Sequence, residues 1–259
     1  MKEFKEIISR ENSLIKLTSN LQKSSKQRTQ LGMFCLEGLR ICSDAFENGI
    51  RFDKLIISKS AKEKYWNKIY EFSNNSNECY ILPDTLFKKI SDTDSPQGII
   101  AIALMPDTKS SINKNGRYIA LENIQDPSNL GAIARTCEAL GVTGIILSSN
   151  GCDPYSPKSL RASMGTLLRI PVIIFDNFID DIKSSGLKTY ACVVDSDAKD
   201  INTINFNDGC ALLIGNEGNG LTEYTKENSD MCITIPMKGK AESLNAAVAA
   251  SISIWEMMK

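Results

Sequence analysis

Short runs of unbroken apolar residues constrain the fold of this chain more than any other feature. The segments 172–175 and 211–214 read Val-Ile-Ile-Phe and Ala-Leu-Leu-Ile, without one polar side chain. A strand that is apolar at every position has both faces buried, as in a parallel sheet covered by helices. Such runs alternate with helical stretches from residue 117 to the end of the sequence, which predicts a doubly wound α/β domain. The predicted strands are 118–121, 144–148, 171–175, 189–194, 211–215 and 231–236.

A second, smaller alternation of strands and helices precedes that domain. Its predicted strands are 33–36, 54–58, 79–82 and 98–104, and its predicted helices are 11–30, 39–47, 61–72 and 84–90. Residues 106–116 between the two regions are rich in Pro, Ser, Asn and Gly and have almost no apolar periodicity. We therefore predict a small α/β domain over residues 1–105, a linker over 106–116 and a second α/β domain over 117–259.

The composition is that of a folded, water-soluble protein. With 42% hydrophobic and 24% charged residues the chain is not disordered, and no apolar run approaches the ~20 residues of a membrane span. Polar residues follow the start of the sequence, so no signal peptide is predicted and a cytoplasmic location is expected.

The chain has no histidine, and its eight cysteines form no C-x-x-C pair. Without histidine, Ser-His-Asp and Cys-His catalysis are excluded. A zinc site would need cysteine and carboxylate ligands from distant segments, so we predict no metal and mostly buried thiols.

The net charge of -1 does not by itself indicate nucleic-acid binding, but the first thirty residues are basic. They contain seven Lys or Arg residues and three Glu residues. A local basic face can bind phosphates even when the total charge is negative. A solvated helix face would have the same composition, and charge alone does not decide between the two.

Three polar segments follow predicted strands and together indicate a family. The first contains Asn129 and Arg135, the second reads Gly215-Asn-Glu-Gly218, and the third contains Ile235-Pro-Met237 and Ser243-Leu-Asn245. In this order they resemble the three motifs of the SpoU (TrmH-like) family of RNA ribose 2'-O-methyltransferases. The segments 34–40 and 95–98 also resemble the RNA substrate-binding domain that precedes the catalytic domain in many members.

The resemblance implies a homodimer that uses S-adenosylmethionine, with a deep trefoil knot at the end of the catalytic domain. Periodicity does not indicate the knot, and threaded chains are rare enough that physical reasoning alone predicts an unknotted sheet. In the first domain the resemblance places Glu37, Gly38 and Arg40 at an RNA face. Alternatively, Glu37 ends a strand and Arg40 pairs with it.

The expected cofactor contacts are Gly215, Ile235 and Leu244, largely through backbone groups. Ile235 and Leu244 are equally suited to core packing. No Walker or dinucleotide-binding glycine pattern is present. Glu217 would repel a phosphate but tolerates a cation, such as the sulfonium of S-adenosylmethionine.

By resemblance the catalytic residues are Arg135, Asn129, Glu217, Ser243 and Asn245. Arg135 has been considered as a general base, but a guanidinium pKa above ~12 favours phosphate binding and stabilisation of the developing alkoxide. A surface salt bridge is the structural alternative for Arg135.

The other four catalytic candidates also have structural alternatives. Asn129 is well suited to cap its helix, and Glu217 either begins a helix or orients Arg135. Ser243 and Asn245 either hold the ribose or the methionine end of the cofactor, or cap a last helix predicted over 243–258. That helix has few charges and suits a core or a subunit interface.

Residues 152–165 resemble the connection that follows the first helix and strand of the family's catalytic domain. Lys158 and Arg161 lie one helical turn apart there and could bind RNA phosphates. Alternatively they are two solvated cations on a helix that begins at Ser156 and Pro157.

We predict an S-adenosylmethionine-dependent RNA 2'-O-ribose methyltransferase that acts on ribosomal RNA. Transfer RNA is the alternative substrate, and a non-catalytic RNA-binding or ribosome-assembly protein is the alternative function. Methylation of a tRNA base nitrogen by a different knotted family is disfavoured, because these motifs are not those of that family.

Overall fold

The computed structural model describes residues 2–106 and 112–259, which form two compact units. The first unit comprises Met1–Pro106 and Tyr155–Leu168, and the second comprises Asp107–Pro154 and Arg169–Lys259. The predicted linker, 106–116, falls partly on residues 107–111, which lie outside the described residues. Residues 155–168 pack with the first unit, although the sequence-based division placed them in the second domain.

The first unit contains a five-stranded mixed sheet. Its strands are β1 (Phe4–Glu6), β2 (Met33–Glu37), β3 (Phe52–Ser58), β4 (Ser76–Leu82) and β5 (Ile99–Leu104), in the order β1-β4-β3-β5-β2. β5 is antiparallel to β2 and β3, and the remaining pairs are parallel. The helices are α1 (Ser13–Lys23), α2 (Ser25–Leu31), α3 (Leu39–Glu47), α4 (Lys59–Asn74) and α5 (Asp84–Ile90).

The predicted helix over 11–30 is wrong in one respect, because it is two helices. The backbone is extended at Ser24 (φ -123°, ψ 113°), and the Ser24 hydroxyl accepts a hydrogen bond from the amide of Gln27 to begin α2. Arg28 is buried, and its Nη1 donates to the carbonyl oxygen of Leu21 at 2.6 Å, near the end of α1. Arg28 therefore stabilises a helix end and does not contribute to a basic surface.

The second unit contains a seven-stranded sheet in which every pair of neighbours is parallel. Its strands are β6 (Arg117–Leu121), β7 (Gly144–Ser148), β8 (Val172–Phe175), β9 (Lys188–Cys192), β10 (Lys199–Asp200), β11 (Cys210–Ile214) and β12 (Met231–Thr234), in the order β10-β12-β9-β11-β6-β7-β8. The parallel α/β prediction for this unit is confirmed.

The helices of the second unit are α6 (Pro127–Leu140), α8 (Phe178–Ser184), α9 (Glu223–Asn228) and α10 (Ala246–Met258), while α7 (Pro157–Ala162) belongs to the first unit. Short 3-10 helices cover Thr166–Leu168 and Ile201–Thr203. None of the helices in residues 2–106 and 112–259 is long and apolar enough to cross a membrane.

All eight cysteines are free thiols, and five of them are buried, as predicted. Burial raises the pKa of the Cys42 thiol to about 12 and that of the Cys210 thiol to about 11. Since the thiolate is the reactive form, these thiols are unreactive near neutral pH.

Candidate functional site

The loop that follows β11 closes tightly on itself. The backbone amides of Asn216 and Gly220 each donate to the other residue's carbonyl oxygen, at 3.0 and 2.9 Å. A Cβ atom at position 215 would lie 2.0 Å from the carbonyl carbon of Gly220 and 2.0 Å from the nitrogen of Leu221. Only glycine fits at position 215, because any side chain would open the loop.

Asn216 ties this loop to the loop that follows β6. Its Nδ2 donates to the carbonyl oxygen of Asn123 at 2.8 Å, while its Oδ1 accepts from the amides of Gly218 and Asn219. Asn123 has a left-handed backbone (φ 55°), which asparagine tolerates better than most residues. The Asn123 amide donates to the hydroxyl of Ser148, at the end of β7. The ends of three neighbouring parallel strands are thus joined by hydrogen bonds.

The carboxylate of Glu217 holds the start of α6. It accepts hydrogen bonds from the backbone amides of Gln125 and Asp126 at 3.2 and 3.1 Å, and from Nδ2 of Asn129 at 2.9 Å. Burial would raise the pKa of this carboxyl, but the Asn129 side chain and the backbone amides that donate to it outweigh burial and hold the pKa below its ordinary value. Glu217 is therefore ionised at neutral pH, and its charge is favourable beside a helix N-terminus.

Asn129 and Asn245 connect the remaining two motifs. Nδ2 of Asn245 donates to Oδ1 of Asn129 at 3.1 Å, and Oδ1 of Asn245 accepts from the amides of Ala247 and Val248. Asn129 is 7% exposed, so both polar ends of its side chain are satisfied within the protein. Asn245, Asn129 and Glu217 form one hydrogen-bonded chain, which we call the amide–carboxylate chain and which includes one residue from each motif.

Two predicted caps are wrong. The N-cap of α6 is Asp126, whose Oδ1 accepts from the amide of Ser128 at 2.8 Å, and Asn129 lies inside the helix. The last helix begins at Ala246 instead of Ser243, so the capping alternative is wrong for Ser243 and confirmed for Asn245, which is the N-cap. Ser243 is exposed in the preceding loop and forms no hydrogen bond within the described part of the chain.

Arg135 forms no contact with Glu217 among the described residues. It is exposed on α6 and forms no hydrogen bond or ion pair with any residue of the two described ranges. The expected orientation of Arg135 by Glu217 is therefore absent from this structure, because Asn129 and the backbone at the start of α6 already donate to that carboxylate. The alternative of a surface salt bridge for Arg135 is likewise not observed among these residues.

A cavity of about 660 Å³ lies beside the amide–carboxylate chain. Its walls include five predicted site residues: Gly215, Glu217, Ile235, Ser243 and Leu244. Ile235 and Leu244 are only half-buried, so core packing does not account for them fully. Asn129, Arg135 and Asn245 do not line this cavity.

The cavity is bordered by more acidic than basic side chains. The five carboxylates on its walls are Asp195, Glu217, Glu223, Glu227 and Glu242. The single lysine, Lys226, forms an ion pair with Glu223 at 2.8 Å. The excess of negative charge favours a cationic ligand over a phosphate.

Several residues of this site were missed from the sequence. Asn123 and Ser148 act through tertiary hydrogen bonds that no local pattern encodes, and Asn216, although part of the second motif, was given no role. Val194 and Asp195 line the cavity directly after β9, and an adjoining cavity of about 640 Å³ shares them. Their position at the carboxyl end of a predicted parallel strand could have identified them, because ligands bind at that edge of such sheets.

The residues predicted to bind RNA belong to the first unit of the structure. Lys158 is exposed on α7, and Nη2 of Arg161 forms an ion pair with Asp92 at 2.8 Å. Ser156 and Pro157 begin α7, as the structural alternative for this segment predicted. Arg40 is exposed and has no partner among the described residues, so the predicted pairing with Glu37 does not occur.

Glu37 is a structural residue and not an exposed RNA contact. Its carboxylate accepts from Nε2 of Gln22 at 3.1 Å, from the amide of Asp92 at 2.8 Å and from the hydroxyl of Thr93 at 3.0 Å, and it also bonds to Ser91. Gly38 has φ 108°, a conformation that favours glycine.

Comparison with known families gives two matches. The SpoU rRNA Methylase family model matches residues 116–255, and the MRM3-like substrate binding domain model matches residues 12–101.

Individual proteins match over nearly the whole chain. The 23S rRNA (guanosine(2553)-2'-O)-methyltransferase RlmP of Bacillus subtilis is 29% identical, covering 98% of this chain and 99% of its own length. The 23S rRNA (uridine(2479)-2'-O)-methyltransferase of Streptomyces viridochromogenes is 27% identical, covering 90% and 85%. The crystal structure of an AdoMet-bound rRNA methyltransferase from Sinorhizobium meliloti, with 28% identity, superimposes with a TM-score of 0.84, covering 98% of this chain and 97% of that one.

Proposed function

Because the chain belongs to the SpoU rRNA methylase family, we propose that it transfers a methyl group from S-adenosylmethionine to a ribose 2'-hydroxyl of RNA, with ribosomal RNA as its substrate. The observation that carries this proposal is the amide–carboxylate chain. It joins one residue of each family motif, and Glu217 at its end also lines the 660 Å³ cavity.

The cavity suits S-adenosylmethionine in size, charge and backbone access. Its volume lies within the range of roughly 300–1,000 Å³ that is typical of small-molecule sites. Its acidic border matches a ligand with a sulfonium and an ammonium group, and Gly215 keeps the backbone of the loop accessible at its wall. When bound, this cofactor supplies an electrophilic methyl group. Gly215, Ile235 and Leu244 would hold it, with the hydroxyl of Ser243 available for its methionine end or for the ribose.

Arg135 would act on the RNA and not on the cofactor. Its guanidinium is exposed and has no partner among the described residues, so it is free to bind a phosphate beside the target ribose. The same group can stabilise the alkoxide as the 2'-hydroxyl loses its proton. A role as general base is disfavoured, since arginine stays protonated at any physiological pH.

Asn129, Glu217 and Asn245 would serve as positioning residues. Their hydrogen bonds fix the start of α6, which carries Arg135, and the start of α10 against the cofactor loop. These hydrogen bonds would hold the site in one geometry before the substrate binds. Catalysis by positioning depends on such a fixed geometry.

The first domain, which we place at residues 1–105, would bind RNA ahead of a catalytic domain at 117–259. Support comes from the match of residues 12–101 to a substrate binding domain, from the exposed cation Arg40, and from exposed Lys158 on the segment 155–168 that packs with the first unit. Arg161 would join Lys158 in binding phosphates if the RNA competes with Asp92 for its guanidinium. A cytoplasmic location fits a ribosomal RNA substrate.

A homodimer is the assembly that the last helix supports. Val248, Ile252 and Trp255 are 47%, 37% and 56% exposed, and they follow one another at helical spacing on α10. Such an apolar stripe on a surface helix is typical of a subunit interface. α10 also packs on α6, where the hydroxyls of Thr136 and Ser251 lie 3.0 Å apart.

The trefoil knot that the family resemblance implies is part of this proposal. The chain leaves β12, the second strand from one edge of the sheet, and continues through residues 235–245 to α10, which packs on α6. Stretching the unfolded chain by its two ends tests the knot. A knotted chain stays shorter than its full contour length, and an unknotted chain reaches it.

The function is tested by incubating the protein with labelled S-adenosylmethionine and unmodified ribosomal or transfer RNA. Incorporation into ribosomal RNA, reduced by Arg135→Ala and only partly restored by Arg135→Lys, is the expected result. Incorporation of label only into transfer RNA would show that transfer RNA, and not ribosomal RNA, is the substrate. No incorporation into either RNA, together with no cofactor binding by calorimetry, would favour a non-catalytic RNA-binding protein.

A further inference from the structure

A second cavity, of about 290 Å³, lies within the first unit and is not part of the methyl-transfer site. Its walls combine apolar side chains from α3 and the α7 segment with two guanidinium groups, one amide and the two carboxylates of Glu37 and Asp44. The six side chains that matter are Arg40, Ile41, Gln97, Leu160, Arg161 and Met164. The volume is just below the roughly 300–1,000 Å³ of small-molecule sites, so it suits a single aromatic fragment and not a length of chain.

Met164 has the most unusual backbone conformation among the residues of this cavity. Its φ is 52°, a left-handed conformation that is strained for methionine, and it is 43% exposed. Strained non-glycine residues persist where the surrounding structure holds them, and they concentrate at binding sites. An exposed, flexible thioether side chain that shares the cavity wall with the apolar Ile41 and Leu160 is suited to contact the flat face of a ring.

The polar groups of the cavity also suit a nucleobase. Oε1 of Gln97 accepts from the amide of Leu39 at 2.8 Å, which fixes the side-chain amide, and its Nε2 has no acceptor within the described residues. Nε2 can therefore donate to the edge of a base. The Arg40 guanidinium is free and planar, and arginine planes stack on unpaired bases in single-stranded RNA.

A phosphate site would look different. Of its two cations Arg161 is already paired with Asp92, two carboxylates share the walls, and the apolar Ile41 and Leu160 contribute nothing to phosphate binding. We infer that this cavity receives one unstacked nucleobase of the RNA substrate, held between Met164 and Arg40 and hydrogen-bonded by Gln97. The inference rests on the proposed RNA methyltransferase function and adds a site that reads a base away from the methylated ribose.

Salt-dependent binding to transcribed 23S rRNA separates stacking from simple charge attraction. Met164→Gly removes the side chain at a φ that glycine adopts freely, so folding is preserved. Arg40→Lys keeps the charge and removes the plane. Stacking predicts that each variant weakens binding by at least about fivefold, with little change in the slope against salt. The matched control is Arg51→Lys, an exposed arginine of the same unit outside the cavity, which should bind as the native protein does.

Wild-type affinity in both Met164→Gly and Arg40→Lys would overturn the inference. Methyl transfer by the native protein, measured in the same preparations, tells this failure apart from failure of the proposed function. If the native protein transfers methyl groups and the variants bind normally, only the cavity is misassigned.

Photo-crosslinking gives a readout that does not depend on any variant. The native protein is irradiated with 23S rRNA transcripts containing 4-thiouridine or 6-thioguanosine and then digested with trypsin. The inference predicts adducts on the peptides 41–51 and 162–169, which carry Ile41 and Met164. Adducts found only on other peptides would overturn the inference that a base enters this cavity. The absence of any adduct would overturn both that inference and the binding of this RNA.

Discussion

Amide side chains, more than charged pairs, determine how the residues of the candidate site are arranged. The sequence motifs identified Asn129, Asn245 and Glu217, but they did not reveal how the three connect. The local sequence predicted Asn129 as a helix cap. Asp126 is the cap instead, because it directly precedes Pro127, the first residue of the helix. The motifs predicted which residues belong to the candidate site. They did not predict the hydrogen bonds between them, because the bonded residues lie 88 and 116 positions apart in the sequence.

Asn245→Asp separates the capping role of Asn245 from its bond to Asn129. Aspartate still accepts from the amides of Ala247 and Val248, so the cap is kept and stability should fall only by the ~0.5–1.5 kcal/mol of the lost bond to Asn129. It cannot donate to Asn129, so kcat/KM for methyl transfer should fall by tenfold or more, since a lost hydrogen bond is typically worth ~0.5–1.5 kcal/mol and the site is also displaced. Asn245→Ala removes both functions and should lose stability as well. Unchanged kinetics in Asn245→Asp would show that the bond to Asn129 does not position the site.

The lowered pKa of Glu217 predicts a pH dependence of stability. A carboxyl whose pKa is lower in the folded than in the unfolded state stabilises the protein fully above its unfolded pKa of roughly 4.3. That stabilisation is lost as the pH falls below this value through the lowered folded pKa. Glu217→Gln should therefore reduce the free energy of unfolding at pH 7, and the difference from the native protein should shrink below pH 4.3.

Urea unfolding between pH 3 and pH 7 measures this difference. Glu227→Gln is the control, because Glu227 is an exposed carboxylate of the same unit without a partner in the described ranges. A difference between Glu217→Gln and the native protein that stays constant with pH would contradict the assignment.

Elements with a strong apolar pattern were predicted well from the sequence. Continuous apolar runs such as Ala211–Ile214 gave parallel strands close to their observed positions. The strands that were missed, β1 and β10, have three and two residues and contain mostly charged side chains. Their pairing is fixed by backbone hydrogen bonds to β4 and β12, and a polar edge strand has no hydrophobic signal. The break at Ser24 was hidden because serine is also tolerated inside helices.

Gly215→Ala tests the closed loop after β11. The added Cβ would lie 2.0 Å from backbone atoms of Gly220 and Leu221, so the loop must open. We expect a loss of about 1–3 kcal/mol in stability, as for other overpacked sites, and loss of measurable cofactor binding.

Gly239→Ala is the matched control for this loop. No atom lies within 4 Å of its Cβ position, and the residue belongs to another loop of the same unit. Calorimetric titration with S-adenosylmethionine compares the two variants. Equal affinity in Gly215→Ala and Gly239→Ala would exclude the loop after β11 from the cofactor site.

At the scale of the whole molecule, tertiary packing departs most from what the sequence indicates. The family model continues from residue 116 to 255, yet residues 155–168 pack with the first unit. The rings of Phe34 and Tyr155, 5.1 Å apart, and the ion pair of Arg161 with Asp92 hold this segment. Neither contact could be predicted, because each joins residues separated by more than sixty positions.

The oligomeric state of the protein can be tested at the exposed stripe of α10. If the exposed stripe on α10 forms the subunit interface, Ile252→Asp combined with Trp255→Lys should convert a dimer into a monomer, because charges would be buried at the interface. Leu31→Lys, at an apolar residue of similar exposure in the first unit, is the control. Sedimentation velocity measures the mass. A native monomer, or a dimer that survives the double substitution, would contradict this interface.

The central claim is that the methyl group goes to a ribose 2'-hydroxyl, and alkaline hydrolysis of the labelled product tests it most directly. A 2'-O-methyl group blocks cleavage of the adjacent phosphodiester bond, so the label should remain in alkali-resistant dinucleotides that are absent with Arg135→Ala. Label released entirely in mononucleotides would place the methyl group on a base and contradict the account.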